Sequence, residues 1–260
     1  MNILLTNDDG IHAPGLWAMY EQIAGKHCVT VIAPDRERSA VSHGVTLHET
    51  LRVRRFRGEQ GYAGYAVNGT PADCVKLGIT ELLDTRPDMV ISGINPGSNV
   101  GVSVNYSGTV AGAREAALYG IPAVAVSLNG YEGMYYEDAA AVTALLIKKV
   151  YEKGLPFGTL LNVNIPDMPK EKMAGLRITR QEVAVLSEHF EKRIDPRNGE
   201  YYWLGEDRRT FGRNPDMDGD ALGQNYVSVT PIQCDATDYR TLEELRVWNT
   251  DISGLFLPTS

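Results

Sequence analysis

Residues 1–10 read Met1-Asn2-Ile3-Leu4-Leu5-Thr6-Asn7-Asp8-Asp9-Gly10, an apolar run that stops at two adjacent acids and a glycine. The run from Ile3 to Leu5 predicts a buried parallel strand, because it is apolar on both faces. Such a strand needs helices over both faces of its sheet, and ligands bind just beyond the carboxyl ends of the strands. Asp8 and Asp9 follow the strand at that end, so this stretch predicts both a fold class and the place of a site.

Two explanations fit the carboxylates of Asp8 and Asp9. Adjacent carboxylates repel each other, and a bound divalent cation would offset that repulsion. Asp-Gly pairs are also common in turns, and aspartate often caps the helix that follows. Taken alone, the pair supports a metal site and a turn about equally.

The remainder of the first 166 residues alternates between strand and helix patterns. Strands are predicted at 29–33, 89–93, 123–127 and 160–166, the last of which we expect to end the main sheet. Shorter, partly antiparallel strands are predicted within 45–67. Helices are predicted at 15–24, 71–84, 106–118 and 136–153. This order predicts an α/β fold with a Rossmann-like, doubly wound, mostly parallel sheet and right-handed crossovers.

Two of these helices carry sharp signals. Thr70, Pro71 and Asp73 form a capping-box pattern at the start of the helix 71–84. The helix 136–153 is amphipathic, and its pattern predicts these inward residues: Ala140, Val142, Leu145, Leu146, Val150 and Tyr151.

The pattern changes after residue 166, so we predict a catalytic core at 1–166 followed by C-terminal strands, a hairpin arm and a terminal helix at 167–260. Both parts are expected to form one continuous domain. The polar stretch 187–225 contains Tyr201, Tyr202, Trp203 and Phe211. These aromatics favour either an oligomerisation arm that buries them against another subunit or a long loop that folds back onto its own domain. Residues 216–220 resemble a calcium loop, but the glycine is misplaced and Val227 stands where a glutamate is needed, which excludes an EF-hand.

Composition excludes several classes of protein. The chain has 260 residues and a formal net charge of −8, which argues against a protein that binds nucleic-acid polymers through a basic face. Because the first strand begins at residue 2 and no apolar stretch has membrane-spanning length, we expect a cytoplasmic protein. The three cysteines are far apart and outside any CxxC pattern, which predicts reduced thiols.

Polar loops follow the other predicted strands as well. Ser39 lies in the loop after the second strand, where Arg36 and Arg38 are predicted to be solvated surface residues. Asn95 lies in a loop rich in glycine and asparagine after the strand 89–93. Since these strand ends should converge on one crevice, two carboxylates, a hydroxyl and an amide oxygen would form an all-oxygen ligand set suited to Mg²⁺ or Mn²⁺.

The start of the helix 106–118 can also bind a ligand. Its small residues and free backbone N–H groups would cradle a phosphate. Ordinary capping by Ser107 or Thr109 explains the same residues, and for this segment alone capping is the slightly better explanation.

Several long motifs, in one order along the whole chain, resemble those of the SurE family. This is the family of stationary-phase survival proteins that act as metal-dependent nucleoside monophosphate phosphatases. The motifs are Thr6-Asn7-Asp8-Asp9-Gly10, Pro34-Asp35-Arg36-Glu37-Arg38-Ser39, Asn68-Gly69-Thr70-Pro71-Ala72-Asp73, Ser92-Gly93-Ile94-Asn95-Pro96-Gly97-Ser98-Asn99, Tyr106-Ser107-Gly108-Thr109 and Ser228-Val229-Thr230-Pro231.

The resemblance implies a site and an activity. It places one divalent metal ion per subunit, Mg²⁺ or Mn²⁺, on Asp8, Asp9, Ser39 and Asn95, with Asp8 and Asp9 as the catalytic residues. It places the phosphate of the substrate at Asn99, Ser107, Gly108 and Thr109. The implied activity is 5'-nucleotidase, with 3'-nucleotidase and exopolyphosphatase as further activities. The implied assembly is a dimer or tetramer with a swapped C-terminal region and extended hairpins.

The mechanism expected from this set is metal-assisted attack of water on a phosphate monoester. Either Asp8 or Asp9 could accept the proton of that water, and direct attack by a carboxylate is an alternative. A haloacid-dehalogenase-type phosphatase would separate its two acids by one residue, whereas here they adjoin. A receiver-like signalling module would need a phosphoacceptor aspartate where this chain has Asn95, and labelling with acetyl phosphate would distinguish it from a hydrolase.

Overall fold

The computed structural model describes residues 1–58, 61–130, 135–183, 189–205, 214–246 and 248. The strands are β1 (Asn2–Thr6), β2 (Cys28–Pro34), β3 (Val53–Arg57), β4 (Ala63–Val67), β5 (Met89–Pro96), β6 (Ala123–Asn129), β7 (Thr159–Pro166), β8 (Gly175–Ile178), β9 (Phe190–Ile194), β10 (Glu200–Leu204) and β11 (Tyr226–Gln233). The α-helices are α1 (Pro14–Ala24), α2 (Pro71–Leu77), α3 (Gly108–Leu118), α4 (Tyr136–Lys153), α5 (Asp218–Gly223) and α6 (Tyr239–Arg246).

Nine strands form one sheet in the order β3-β4-β2-β1-β5-β6-β7-β11-β8. The six strands from β4 to β7 in this order pair in parallel, while β3 and β11 run antiparallel to their neighbours β4 and β7. The predicted α/β fold with a doubly wound, mostly parallel sheet is confirmed.

Helices cover both faces of this sheet. The α1 and α4 helices pack on one face, where Ile3 and Leu5 join the core, and α2 and α3 pack on the other face with Leu4. A side chain at Gly15 would place its Cβ 2.1 Å from the carbonyl oxygen of Ile94, so only glycine permits this contact between α1 and β5. The alternation of Ile3, Leu4 and Leu5 between two cores explains why the strand is apolar on both faces.

The order of the strands reverses direction at β1. From β1 the chain moves to β2 and β4 on one side, and it then returns to β5 on the other side. Ligands of doubly wound sheets bind at such a switch point, beyond the carboxyl ends of the two central strands. Here those ends carry Asp8 and Asn95, so the topology brings the two loops together.

The expectation that β7 ends the main sheet is wrong. β11 pairs antiparallel with β7, and β8 pairs in parallel with β11 at the edge. Polar residues interrupt the apolar pattern of β11, and the buried hydroxyls of Ser228 and Thr230 are satisfied by hydrogen bonds to Thr179. The division of the chain at residue 166 stays a prediction, and the sheet itself continues across it.

The predicted inward face of α4 is wrong in part. Leu145 and Tyr151 are 72% and 55% exposed. The buried residues of this helix are Ala139, Ala140, Thr143, Ile147 and Val150. Leu145 lies two positions from Thr143, which is about 200° around a helix, so it projects away from the buried stripe. The buried stripe thus combines three small residues with Ile147 and Val150, and it leaves out Leu145 and Tyr151.

The capping box of α2 is confirmed. The Thr70 hydroxyl accepts from the backbone N–H of Asp73, and the Asp73 carboxylate accepts from the N–H of Thr70. The α-helix ends earlier than predicted, at Leu77, and continues as a π-helical turn over Gly78–Leu82.

The predicted hairpin consists of β9 and β10, which form a separate antiparallel sheet. We call these two strands the hairpin arm. Its apolar residues are exposed, with Phe190 at 68%, Trp203 at 60% and Leu204 at 57%. In the described residues the aromatics of the arm therefore do not fold back onto the parent domain. Phe211 lies outside the described residues.

The three cysteines are free thiols, as predicted. Cys28 is exposed at the amino end of β2, whereas Cys74 is buried in α2 and Cys234 is half-buried. Burial raises the pKa of Cys74 well above its ordinary value. No helix in the described part of the chain is long and apolar enough to cross a lipid bilayer.

Candidate active site

A crevice of about 240 Å³ lies at the carboxyl edge of the sheet, beyond β1 and β5. Five of the residues predicted for the site line it: Asp8, Ser39, Asn95, Asn99 and Ser107. The other three predicted residues are connected to it through Asp8. Asp9 follows Asp8 in the chain, Thr109 bonds to Asp8, and Gly108 packs against Asp8. The structure thus brings together residues that are up to 101 positions apart in the sequence.

The turn after β1 is made by Asn7 and not by the two acids. The Asn7 side chain accepts from the N–H of Gly10 and donates to the Gly10 carbonyl. The following helix α1 begins at Pro14 without any side-chain cap. Asp8 and Asp9 are therefore needed neither for the turn nor for capping, which leaves their carboxylates for another purpose.

Asp8 is a buried carboxylate held by α3. The hydroxyl of Thr109 donates to Asp8 Oδ1 at 2.6 Å. A side chain at Gly108 would place its Cβ 2.8 Å from Asp8 Cβ, so this residue can only be glycine while Asp8 keeps its position. Burial raises the pKa of Asp8, and the Thr109 hydrogen bond opposes that shift by stabilising the charged form.

Asp9 has the least satisfied carboxylate of the site. Its Oδ2 is buried and has no hydrogen-bond partner among the described residues. Burial and then the charge of Asp8 raise the pKa of Asp9 to about 7. Burial also raises the pKa of Tyr136, at the start of α4, to about 12, and the nearby Asp9 charge adds to the shift. A cation beside Asp9 would lower this pKa, because a nearby positive charge stabilises the ionised carboxylate.

Ser39 is prepared to offer an oxygen. Its hydroxyl donates to Glu37 Oε1 at 2.6 Å, so its lone pairs remain available to a cation. The loop carrying it is tied to the crevice, because the Ser42 hydroxyl donates to the carbonyl of Asn105 at 2.7 Å. Glu37 lies outside the predicted set, and only its spacing of two residues from Ser39 indicated it.

The prediction that Arg36 and Arg38 are solvated surface residues holds for Arg36 and is wrong for Arg38. Arg38 is half-buried, and its guanidinium donates to the carbonyl of Asn68 at 2.6 Å. Its backbone N–H donates to the Asp8 carbonyl at 2.7 Å. Arg38 thus joins the loops after β1, β2 and β4. No spacing pattern relates Arg38 to Asn68, because they are 30 positions apart in the sequence.

Asn95 stands where β5 departs from regular pairing with β6. The register shifts between Ser92 and Asn95, and Asn95 then pairs with Ser127. The side-chain nitrogen of Asn95 donates to the Gly97 carbonyl at 2.7 Å, which leaves the amide oxygen available as a ligand. Bulges of this kind re-aim a side chain next to a site.

Asn99 is fixed by three polar residues of β6 and β7. Its backbone N–H donates to Asn164 Oδ1, and its carbonyl accepts from the side chains of Asn162 and Asn164. Its own side-chain nitrogen donates to the hydroxyl of Ser127 at 2.7 Å. Sequence reasoning missed Asn162 and Asn164. Two amides with a period of two inside a buried strand were the available signal, because buried amides need partners.

Of the two explanations considered for the start of α3, the structure confirms capping by Ser107. The Ser107 hydroxyl accepts from the N–H of Val110, which is an ordinary N-cap. Thr109 does not cap the helix, since its hydroxyl is committed to Asp8. The first N–H groups of a helix have no partner within that helix, so this end still attracts an anion. The phosphate-binding role of Asn99, Ser107, Gly108 and Thr109 stays a prediction.

The chemistry of the donors fits a hard cation. In the described part of the chain, no group of three or more His, Cys, Asp or Glu side chains is arranged to hold a metal ion. A cation here would instead bind a mixed set of two carboxylates, one hydroxyl and one amide oxygen, as Mg²⁺ and Mn²⁺ do. The buried, unpartnered oxygen of Asp9 is the feature that such a cation would explain.

Comparison with known proteins gives consistent results. A family model described as "Survival protein SurE" matches residues 3–188. The protein named 5'-nucleotidase SurE of Desulfatibacillum aliphaticivorans is 55% identical over 96% of this chain and 99% of its own length. The protein of the same name from Syntrophobacter fumaroxidans is 44% identical over 96% of this chain and 100% of its own length.

A solved structure matches as well. The crystal structure of the SurE protein from Aquifex aeolicus has a TM-score of 0.84 and 39% sequence identity to this chain. The match covers 96% of this chain and 100% of that one. The sheet, the helices and the C-terminal strands therefore belong to one shared architecture.

Proposed function

This chain belongs to the SurE family, and from that premise we propose that its crevice hydrolyses nucleoside 5'-monophosphates to a nucleoside and inorganic phosphate. The names of its relatives support the nucleotidase activity, which makes the chain a phosphoric monoester hydrolase. Nucleoside 3'-monophosphates and short polyphosphates are proposed as further substrates.

One observation carries the proposal for this site. Asp8, Ser39, Asn95, Asn99 and Ser107 line a single crevice, and Asp9, the residue after Asp8, has a buried carboxylate oxygen without a partner among the described residues. A cluster of oxygen donors next to a helix start can bind a cation and a phosphate side by side. Hydrolysis of a phosphate monoester needs both.

We propose that Asp8, Asp9, Ser39 and Asn95 hold one divalent ion per subunit, Mg²⁺ or Mn²⁺. When bound, the ion would polarise a phosphoryl oxygen, offset the charge that develops on the phosphate and lower the pKa of bound water. Thr109 keeps Asp8 in place through its hydrogen bond. Glu37 accepts a hydrogen bond from the Ser39 hydroxyl, which leaves the lone pairs of the Ser39 oxygen for the ion.

The remaining residues act on the substrate. The first N–H groups of α3 and the Ser107 region bind the phosphate oxygens, and the loop of Asn99 closes the opposite side. Asp9 accepts the proton of the attacking water, since Asp8 Oδ1 already accepts from Thr109. Water supplies the new P–O bond, and the P–O bond to the ribose oxygen breaks. The proton that Asp9 accepted passes to the ribose oxygen, which leaves as the hydroxyl of the nucleoside.

We further propose that the hairpin arm packs against a second copy of the chain to form a dimer or tetramer. Its exposed Phe190, Tyr202, Trp203 and Leu204 support this, because an apolar surface of this kind is typical of interfaces. Light scattering should show a homo-oligomer for the native chain and a smaller species after Trp203→Ser combined with Leu204→Ser.

The net charge of −8 supports mononucleotides rather than nucleic-acid polymers as ligands. A cytoplasmic location is proposed as well.

Phosphate release from a panel of substrates tests the function. The panel contains 5'-AMP, 5'-GMP, 3'-AMP and short polyphosphate, each assayed with Mg²⁺, with Mn²⁺ and with EDTA. We expect metal-dependent release from the 5'-monophosphates, and a higher melting temperature when Mn²⁺ is added without substrate. The absence of release from every nucleotide with either metal would reject the proposal.

A further inference from the structure

Among the described residues of the C-terminal part, Asp218 has the most buried carboxylate, and the chemistry proposed above does not use it. It lies in the 216–220 stretch, at the start of the short helix α5, with 0% of its surface exposed. Burying a carboxylate is unfavourable unless donors surround it. Its donors therefore reveal which segments it holds together.

Three backbone N–H groups bind this carboxylate. Oδ2 accepts from Gly101 at 2.8 Å, and Oδ1 accepts from Glu182 at 3.2 Å and from Gly219 at 2.9 Å. Gly101 ends the loop that begins at Asn95 and lines the crevice through Asn99. One carboxylate thus joins the crevice loop to a segment of the chain more than 80 positions further on.

A second contact fixes the same residue. The Gln181 side chain donates to the carbonyl of Gly101 at 2.8 Å, so both backbone polar groups of Gly101 bind the C-terminal part. Gly101 has a positive φ of +57°, and a side chain there would place its Cβ 3.0 Å from the Glu182 carbonyl oxygen. The end of the crevice loop is held from outside the parallel sheet.

The two segments that provide these contacts flank the hairpin arm in the sequence. They are bonded to each other, because Arg180 N–H donates to the Asp216 carbonyl and Asp218 N–H donates to the Arg180 carbonyl. Residue Arg180 also forms a β-bridge with Met217. The chain therefore leaves for the arm and returns from it at one joined point, and that point binds the crevice loop.

From these contacts we propose that Asp218 is a positioning residue that sets the phosphate side of the crevice through Gly101, which lies two residues after Asn99 in the crevice loop. Asn95 is fixed separately by its pairing with β6, so the metal side does not depend on Asp218. The assignment of the two sides follows the proposed nucleotidase function. The contact itself can be tested without it.

Asp218→Asn tests the proposal, because it replaces one acceptor oxygen by an amide that donates, opposite a backbone N–H that also donates. We expect the KM for 5'-AMP and the inhibition constant of inorganic phosphate to rise roughly tenfold each. The Mn²⁺ concentration for half-maximal activity should change less than about twofold. A mutation that only lowered the folded fraction would reduce kcat and leave KM and the inhibition constant unchanged.

Asp220→Asn is the matched control. Asp220 is two residues away in the same short helix and is 8% exposed, but its carboxylate accepts from the N–H of Asn214 and does not contact the crevice loop. Gln181→Ala is the second variant if Asp218→Asn does not fold, and it should shift the same two constants in the same direction. Unchanged constants in Asp218→Asn and Gln181→Ala would overturn the proposal.

Hydrogen exchange separates this proposal from the nucleotidase assignment. Amides in 97–104 should exchange roughly tenfold faster in Asp218→Asn than in the native chain or Asp220→Asn. Equal exchange in the three proteins would reject the positioning role even if nucleotides are hydrolysed. Faster exchange in a chain that hydrolyses no nucleotide would support the contact and reject the proposed function.

Discussion

The two sides of the crevice are built in opposite ways. On one side, after β1, stand two adjacent carboxylates with raised pKa values, and one of their oxygens has no partner in the described residues. On the other side, after β5, the backbone of Asn99 is fully bonded to Asn162 and Asn164. The first side is charged and has a carboxylate oxygen without a partner, whereas the second is neutral and the backbone of its Asn99 is fully hydrogen-bonded.

This difference teaches how one crevice can serve a cation and an anion. A carboxylate pair gains most from a cation when the protein leaves it unneutralised. An anionic phosphate gains most from donors that are already fixed, since no reorganisation is then needed. The carboxylate side should therefore respond strongly to loss of charge, and the amide side to the introduction of charge.

The largest effect is expected for Asp9→Asn. The amide removes a negative donor from the proposed cation site, so nucleotide hydrolysis should fall by at least about a thousandfold. The measurement is metal-dependent phosphate release, with circular dichroism to confirm that the fold is kept. Asp35→Asn changes an exposed carboxylate in the loop after β2 and should keep full activity. Undiminished turnover in Asp9→Asn would remove this residue from the mechanism.

A smaller loss is expected for Asn99→Asp, which adds a negative charge to the neutral side of the crevice. Repulsion of the substrate phosphate should lower kcat/KM roughly thirtyfold, mainly through KM. Raising the ionic strength should partly restore the KM. The control Asn105→Asp adds the same charge at an exposed position nearby. If both variants lose activity equally, general charge repulsion and not the Asn99 side is responsible.

Thr109→Val tests the support of the charged side. Valine keeps the shape of threonine but leaves Asp8 Oδ1 without the donor at 2.6 Å. We expect kcat/KM to fall about tenfold and the free energy of unfolding to drop by about 1–2 kcal/mol. Thr143→Val is the control, because that buried hydroxyl donates to Ala139 within its own helix. The control should lose stability and keep its activity, and equal losses of activity would contradict the role of Thr109.

The smallest effect concerns the stability of the metal-free protein. The pKa of Asp9 is about 7 in the folded protein and 3.8 in the unfolded chain. The folded protein therefore holds this proton more tightly, and the stability that the protonated Asp9 contributes is lost as the pH rises from 3.8 to about 7. Asp9→Asn lacks this titration. At pH 8 it should melt about 4 °C above the native chain, which corresponds to a difference of about 2 kcal/mol in the free energy of unfolding after solvent screening. At pH 5 in EDTA the difference in melting temperature should be less than half of that at pH 8, because most of the titration between the two pKa values lies above pH 5. The same difference at both pH values would show that Asp9 titrates normally.

Much of the fold was predictable because its signals are local. The apolar run Ile3 to Leu5, the capping box at Thr70 and the bounds of α4 each depend on neighbouring residues. The meeting of Asp8 with Asn95 was predictable for another reason, since the carboxyl ends of parallel strands share one edge. The inward face of α4 was misjudged because its contact uses small residues, and Ala139 or Thr143 carries a weaker hydrophobic signal than Leu145.

The contacts that hold the site in place were harder to predict. The bonds of Arg38 to Asn68, of Thr109 to Asp8 and of Asp218 to Gly101 join residues that are 30 to 117 positions apart. Nothing in the spacing of the sequence relates such residues, because each is brought to the other by the packing of whole elements. Sequence patterns indicate which groups surround a site, whereas the supporting hydrogen bonds depend on the assembled fold.

The exposed thiol of Cys28 has a practical consequence. It lies at the amino end of β2, whereas the crevice is at the carboxyl edge of the same sheet. Cys74 is buried and its pKa is raised, which makes it a poor nucleophile toward alkylating reagents. A maleimide dye or a surface tether should therefore attach first at Cys28, and the immobilised molecule would present its crevice to solution.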